Sequence, residues 1–176
     1  ILIEYVSSNP TGPLHVGHGR GAAFGSVLSS ILRATGNHVD EEYYVNDQGR
    51  QIEILSLSVW LRYLMIFNQI SLFPNNCYQG TYIEELAKEL ERDYGEKFSI
   101  TKEIEDLISE MLQLDMEEEA LDGLISQSKK ALNESFDEIK SFVLNRILKN
   151  IEGDLKDFGV KHNSWFKEST MFRADK

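Results

Sequence analysis

Two stretches decide the fold: Ile1-Leu2-Ile3-Glu4-Tyr5-Val6-Ser7-Ser8-Asn9-Pro10-Thr11-Gly12-Pro13-Leu14-His15-Val16-Gly17-His18, and Val39-Asp40-Glu41-Glu42-Tyr43-Tyr44-Val45. The opening residues are apolar and β-branched, which predicts a buried strand over 1–7. Residues 8–16 carry two of the three prolines together with Asn, Thr and Gly, so they form a loop. A helix follows over 17–34, with Ala23, Val27, Leu28 and Ile31 as its apolar stripe and Gly36-Asn37 as its stop. The second stretch is a strand over 39–45. Strand, helix and strand in this order make a parallel βαβ unit, which places a ligand off the carboxyl ends of the strands.

Working outward, Asn46-Asp47 is placed to cap a helix reaching about residue 67. Leu55, Leu57, Val59, Trp60, Leu61 and Leu64 are too many for one exposed face, so that helix is buried on two sides. A loop over 68–80 contains Pro74-Asn75-Asn76 and Gly80. Ile83, Leu86, Ala87 and Leu90 predict a short amphipathic helix over 82–94. The helical pattern continues over 102–130 with an interruption at Gly123, and a last helix spans 134–158 on the spacing of Phe136, Ile139, Val143, Ile147, Ile151, Leu155 and Phe158. Gly159 ends it, and a further strand is expected over 160–166. The fold class is therefore α/β with a helical addition, a small sheet and a majority of helix.

The 176 residues suffice for one domain with a real core. Acidic residues outnumber basic ones 29 to 18, a formal charge of -11 that argues against a whole-surface nucleic-acid binder. The excess is local: residues 84–138 sum to -12 and the remainder to +1. Glu117-Glu118-Glu119 and its neighbours read as a solvated helical face, without the aspartate spacing of a calcium loop. Cys77 is the single cysteine, so no disulfide forms within the chain. No stretch reaches the roughly 20 apolar residues of a membrane span, and the opening run lacks the layout of a signal peptide. A soluble, cytoplasmic protein is expected, and an opening inside a strand suggests that further sequence precedes Ile1.

The chemistry concentrates in the loop from Ser8 to His18. A helix amino terminus offers unpaired backbone N–H groups and the positive end of a dipole, both suited to phosphate. His15 and His18 add side-chain donors, and Gly17 leaves room for a nucleotide near the backbone. The residues alone leave a plain structural loop equally open. A zinc site would need more ligands than His15 and His18 supply, and Cys77, His38 and His162 stand isolated in sequence, so no structural zinc is expected.

The string from Glu4 through Gly21, with Ser8, Asn9, Pro10, Thr11, Gly12, Pro13, Leu14, His15, Val16, Gly17 and His18 at its centre, resembles the signature region of bacterial-type arginyl-tRNA synthetases. Within it, His15-Val16-Gly17-His18 is similar to the first nucleotide-binding motif of class I synthetases. Glu42-Tyr43-Tyr44-Val45-Asn46-Asp47-Gln48-Gly49-Arg50-Gln51 resembles a second block of the same family. Val59 to Tyr63, Tyr78 to Ile83, Phe158-Gly159-Val160 and Trp165 to Ser169 fall in the expected order.

The resemblance implies the first half of a Rossmann-like catalytic domain with a helical insertion or decoration. Its first βαβ part would be 1–67, an acidic helical part 68–158, and the start of the next strand region 159–176. It implies ATP as substrate with Mg2+ on the nucleotide, L-arginine as amino acid, and tRNA(Arg) as acceptor for the parent protein, with neither DNA nor membrane as partner. By position, His15 and His18 would contact ATP phosphates and stabilise the transition state, with Gly17 under the adenosine. Glu4, Asn9 and Gln51 would bind arginine: Glu4 at the guanidinium, Asn9 at the backbone groups and Gln51 along the pocket.

Each role has a rival. Glu4 can be satisfied by an internal salt bridge, and Asn9 can simply hold its loop. Arg20 and Arg50 can meet phosphate or RNA, or pair with Glu or Asp. Tyr43, Tyr44, Trp60 and Tyr63 read first as packing residues. No Lys-Met-Ser-Lys type loop occurs, nor the family's anticodon-binding and amino-terminal domains, so the chain by itself is expected to be inactive. The alternative is a non-catalytic nucleotide-binding or protein-interaction module derived from a synthetase.

Overall fold

A strand persists only while its residues stay extended, and the opening apolar run leaves that region at Val6 and Ser7, whose φ angles are 69° and 38°. β1 is therefore Leu2–Glu4, shorter than its hydrophobicity suggests. The computed structural model describes residues 1–113 and 118–173. The chain divides into two compact units, Ile1–Gly49 with Arg146–Lys176, and Arg50–Asn145.

In the first unit, α1 (Val16–Ala34) crosses from β1 to β2 (Asp40–Val45). β1 and β2 are parallel, with Leu2 opposite Asp40 and Glu4 opposite Glu42. β3 (Ser164–Lys167) lies parallel on the other side of β2, with Glu42 opposite Ser164 and Val45 opposite Lys167. The sheet order is thus β1-β2-β3. This is the expected parallel βαβ start, and the whole helical unit enters between β2 and β3. A short 3-10 segment, Glu168–Arg173, continues from β3.

The face of α1 turned to the sheet differs from the one its apolar spacing predicts. Ala22, Gly25 and Ser29 are buried, whereas Ala23, Phe24, Val27, Leu28 and Ile31 are exposed. Two contacts select the small-residue face. The Tyr5 ring fills the space where a side chain at Gly25 would lie, with Tyr5 Cγ 2.2 Å from an ideal Cβ there. Near the end of the helix, Arg33 pairs with Glu41 and donates to Val39 O at 3.0 Å, while Tyr5 Oη donates to Glu41 Oε1 at 2.8 Å. Burial opposes the Glu41 charge, but Arg33 and Tyr5 outweigh it and hold this carboxyl below its ordinary pKa. The fit therefore depends on shape and a buried polar group, which hydrophobic periodicity does not report.

The second unit is built on α2 (Arg50–Ile66), where Ile52, Leu55, Leu57, Val59, Trp60, Leu61, Tyr63 and Leu64 are all buried, as two-sided burial requires. Its polar atoms are answered inside the unit: Trp60 Nε1 donates to Phe98 O at 3.0 Å and Tyr63 Oη to Gly95 O at 2.6 Å. α3 (Thr81–Tyr94), α4 (Lys102–Leu112) and α5 (Glu118–Leu132) follow. Gly123 lies inside α5 rather than at a break, while Glu117 of the acidic run falls outside the described residues. α6 (Glu134–Asp157) begins in this unit and ends in the first. Val160, expected in a strand, instead closes α6 by donating its N–H to Leu155 O at 2.8 Å, next to Gly159 at φ 85°.

Two glycines of α1 give a matched test of the close approach. Gly25→Ala is expected to destabilise the fold by about 1–3 kcal/mol because its methyl meets the Tyr5 ring. Gly21→Ala, with nothing near its Cβ, is expected to stabilise by about 0.5–1 kcal/mol. Urea unfolding of both variants measures the pair, and equal effects would rule out the Tyr5 contact as the cause.

Candidate functional site

The loop leaving β1 is fixed from β2. With Val6 and Ser7 in the left-handed region, Tyr44 N donates to Ser7 Oγ at 3.0 Å, a side-chain acceptor where a ladder carbonyl would otherwise serve. Tyr43 Oη donates to Ser8 O at 3.0 Å, and its buried ring stacks on Trp165 with centroids 4.3 Å apart. Positive φ at a β-branched residue costs on the order of 1–3 kcal/mol, so these neighbours impose a conformation the loop would not choose.

At the far end of the loop, His15 is the N-cap of α1. Its Nδ1 accepts from Gly17 N at 3.1 Å, and His18 Nδ1 accepts from His15 N at 3.2 Å, a reciprocal capping box made of two imidazoles. The rings stack with centroids 3.7 Å apart and planes 22° from parallel. Because both Nδ1 atoms accept, both rings are Nε2–H tautomers, which leaves an Nε2–H donor on each. A Cβ at Gly17 would stand 2.9 Å from His15 Cε1, so this ring position requires glycine there.

The cap changes the expected source of phosphate donors. Gly17 N is engaged by His15 Nδ1, and His18 N and Gly19 N both donate to His15 O, at 2.9 and 3.2 Å. An anion at this helix terminus would meet the Nε2–H groups of the two rings together with the backbone N–H of the exposed Val16, at the positive end of the helix dipole. Burial first, and the neighbouring His15 second, keep the His18 pKa below its ordinary value.

The remaining expected residues are distributed as follows. Glu4 is exposed at the last position of β1, and no cation pairs with it among the described residues. The register sets Glu4, Glu42 and Ser164 in one row on the same sheet face, where Ser164 Oγ donates to Glu42 Oε2 at 3.1 Å. Asn9 is exposed, and its amide lies 3.2 Å from that of Asn46 after β2. Gln51 stands on the first turn of α2 in the second unit. Arg50 is engaged by Asp122 at 2.7 Å and Glu118 at 2.5 Å within that unit. Among the described residues no group of three or more His, Cys, Asp or Glu side chains gathers to hold a metal ion, and no helix is long and apolar enough to cross a membrane.

Sequence reasoning missed a second constellation at the carboxyl ends of β2 and β3. Asp47, expected to cap α2, is buried and instead accepts from Ser169 N at 2.9 Å and Ser169 Oγ at 2.7 Å. Gly49, at φ 89°, separates it from the start of α2 at Arg50. Beside it, Asn46 lies between Asn9 and Glu168. The available signal was positional, since a parallel sheet directs its strand ends to a ligand crevice.

Comparison with known proteins agrees with this geometry. The family described as tRNA synthetases class I (R), catalytic domain, matches residues 1–72. The arginine–tRNA ligase of Nitrosomonas eutropha is 46% identical over 98% of this chain, and that of Legionella pneumophila strain Paris is 43% identical over 98%. The chain belongs to the arginine–tRNA ligase family. It is a segment of that family's catalytic domain, spanning 30% of the length of each of these relatives. A crystal structure from Campylobacter jejuni, described as an arginyl-tRNA synthetase, superposes with a TM-score of 0.73 at 32% identity, covering 98% of this chain and 32% of that one. The Thermus thermophilus arginyl-tRNA synthetase shares the fold, with a TM-score of 0.52 at 24% identity over 99% of this chain and 24% of its own. The α/β catalytic fold of class I synthetases is therefore shared by this chain, and ATP, Mg2+, arginine and tRNA are expectations at the level of the family.

The cap predicts a pH response with a definite sign. An unfolded histidine takes its proton near pH 6.5, whereas folded His18 takes it only at lower pH. Between those values the unfolded state binds more protons, so the stability contributed by this group is constant above about pH 6.5 and lost as pH falls through the folded pKa. Proton NMR should show the His18 ring titrating below 6.5, with amide exchange at the start of α1 accelerating over the same range. A ring that titrates at or above 6.5 would contradict the neutral capping box.

Proposed function

We propose that this chain forms the ATP-binding part of an arginine–tRNA ligase, with the stacked His15 and His18 pair as donors to the nucleotide phosphates. The observation that carries the reading is the stacked imidazole pair at the amino terminus of α1, whose Nδ1 atoms are both taken by the cap and whose Nε2–H groups are not. The reaction implied for the complete ligase starts when an arginine carboxylate oxygen attacks the α-phosphorus of ATP. The bond to the β-phosphate bridge oxygen breaks, and pyrophosphate leaves with its Mg2+. The arginyl group then passes to the terminal adenosine hydroxyl of tRNA(Arg), releasing AMP.

No covalent bond to the protein is needed. The chain's residues act by holding the reactants and by donating hydrogen bonds to oxygens that gain charge during transfer. Each imidazole can donate through Nε2 while its Nδ1 stays engaged in the cap, so the role does not require opening the helix start. Gly17 keeps the His15 ring in place and leaves the backbone accessible beneath the adenosine.

Glu4 is assigned to the substrate guanidinium. It has no internal cation, and the neighbouring Glu42 raises the negative potential at that point of the sheet. Two carboxylates side by side repel one another, and a guanidinium relieves that repulsion. Asn9 is assigned to the backbone groups of the amino acid. A cytoplasmic location follows from participation in protein synthesis, and the segment by itself is expected not to charge tRNA.

The test uses a full-length ligase carrying this segment. The His15→Ala/His18→Ala variant should lose about 10²- to 10³-fold in kcat for arginine activation. His15→Asn keeps a capping side chain and so separates chemistry from folding: activation should fall while thermal stability stays near wild type. Wild-type activation by the double variant would remove the phosphate assignment.

A further inference from the structure

Arg62, on α2 in the second unit, has no part in the nucleotide or arginine assignments. Its side chain is only 21% exposed, yet among the described residues it reaches no oxygen acceptor within hydrogen-bond distance. Nε is buried and unpartnered, and Nη1 donates only to Met65 Sδ at 3.7 Å, a weak acceptor. Nη2 stands 3.7 Å from Glu84 Oε1, an ion pair too long for a hydrogen bond. Phe73 lies against the guanidinium, with its ring centroid 3.8 Å from Cζ. That stack holds the group in place but gives its N–H donors no oxygen. A largely buried cation in this state is short of acceptors, which is costly unless something else supplies them.

The same guanidinium lines a cleft of about 210 Å3 together with Met65, Ile66, Glu84, Ala87 and Lys88. Met65, Ile66 and Ala87 supply an apolar wall. Arg62 and Lys88 set two cations against the single carboxylate of Glu84, and Lys88 forms no ion pair among the described residues. An anion with an apolar body fits this combination. A carboxylate offers two oxygens to the planar fork of a guanidinium, and a short aliphatic chain covers the wall. A polyanion such as RNA is opposed by α3 itself, whose Glu84, Glu85, Glu89 and Glu91 belong to the segment of net charge -12.

We propose that the cleft between α2 and α3 is a binding site for a small aliphatic carboxylate, with Arg62 as the anion receptor and Glu84 as the internal group that the ligand displaces. Glu84 is half exposed and makes no hydrogen bond to Arg62, so it is held there weakly. A ligand carboxylate makes the hydrogen bonds that Glu84 does not and adds the burial of its chain. The site stands apart from the roles assigned to His15, His18 and Glu4, and does not depend on them.

The test follows the ε-methyl NMR signal of Met65 in a full-length ligase carrying this segment, labelled at its methionine methyl groups and assigned by loss of the signal in Met65→Leu. Hexanoate should shift the signal saturably, and acetate should bind about tenfold more weakly because it lacks the apolar chain. Inorganic phosphate at the same concentrations should leave the signal unmoved. Arg62→Gln should abolish the saturable shift. Glu84→Gln, at a position outside the core, should tighten hexanoate by about three- to tenfold by removing the competing charge.

Absence of a saturable hexanoate shift, unchanged binding in a folded Arg62→Gln, or phosphate binding that matches hexanoate would each overturn the proposal. Where Arg62→Gln fails to fold, Glu84→Gln decides alone. Tighter binding supports the displaced carboxylate, whereas unchanged or weaker binding makes Arg62 and Glu84 a structural pair and overturns the site.

Discussion

The left-handed exit of the chain at Val6 and Ser7 is the constraint on which the site depends. A β-branched residue at positive φ is unfavourable in isolation and persists only where the surroundings over-determine it. Here β2 supplies the surroundings, through the Tyr44 N–H on Ser7 and the Tyr43 hydroxyl on Ser8. Ending β1 at Glu4 leaves that carboxylate at a strand terminus, and the turned chain carries Asn9 to Asn46 before it reaches the cap of α1. The strand end, the loop after it and the helix terminus are therefore parts of one backbone decision.

Hydrogen bonding along this path fixes both the backbone and the side chains that the proposed site uses. The two imidazoles satisfy the start of α1 through their Nδ1 atoms, and that use dictates which nitrogen carries the proton. Across the sheet, Asp47 and Asn46 are consecutive residues with different contacts: one anchors Ser169 and the other lies between Asn9 and Glu168. The three parallel strands bring these groups together at their carboxyl ends, where the sheet directs a ligand.

Much of the architecture was legible because period and punctuation are local. The apolar crowding of α2 announced two-sided burial, and the Pro and Gly content of residues 8–16 announced a loop. What escaped depended on distant partners. The stripe of Val27, Leu28 and Ile31 was recognisable as apolar, but Tyr5 over Gly25 decides which face of α1 meets the sheet. Asp47 had the chemistry of an N-cap, yet Ser169 takes its carboxylate. The approach of Glu168 to Asn46 had no local mark at all, since it arises only when β3 pairs with β2. The histidine pair was visible in sequence, but its tautomers required the capping geometry.

The exposed stripe of α1 has a bearing on the colloidal behaviour of the chain. A net charge of -11 suggests molecules that repel one another strongly at neutral pH. All of that net charge resides in residues 84–138, which sum to -12, while α1 belongs to a remainder whose charge sums to +1. Phe24, Val27, Leu28 and Ile31 therefore lie exposed on a nearly neutral part of the sequence, and physiological salt shortens the range of any charge to about 8 Å. Total charge is a poor guide to solubility in such a chain: attraction between copies is governed by the sparsely charged helix, and raising the ionic strength removes what protection the acidic segment provides.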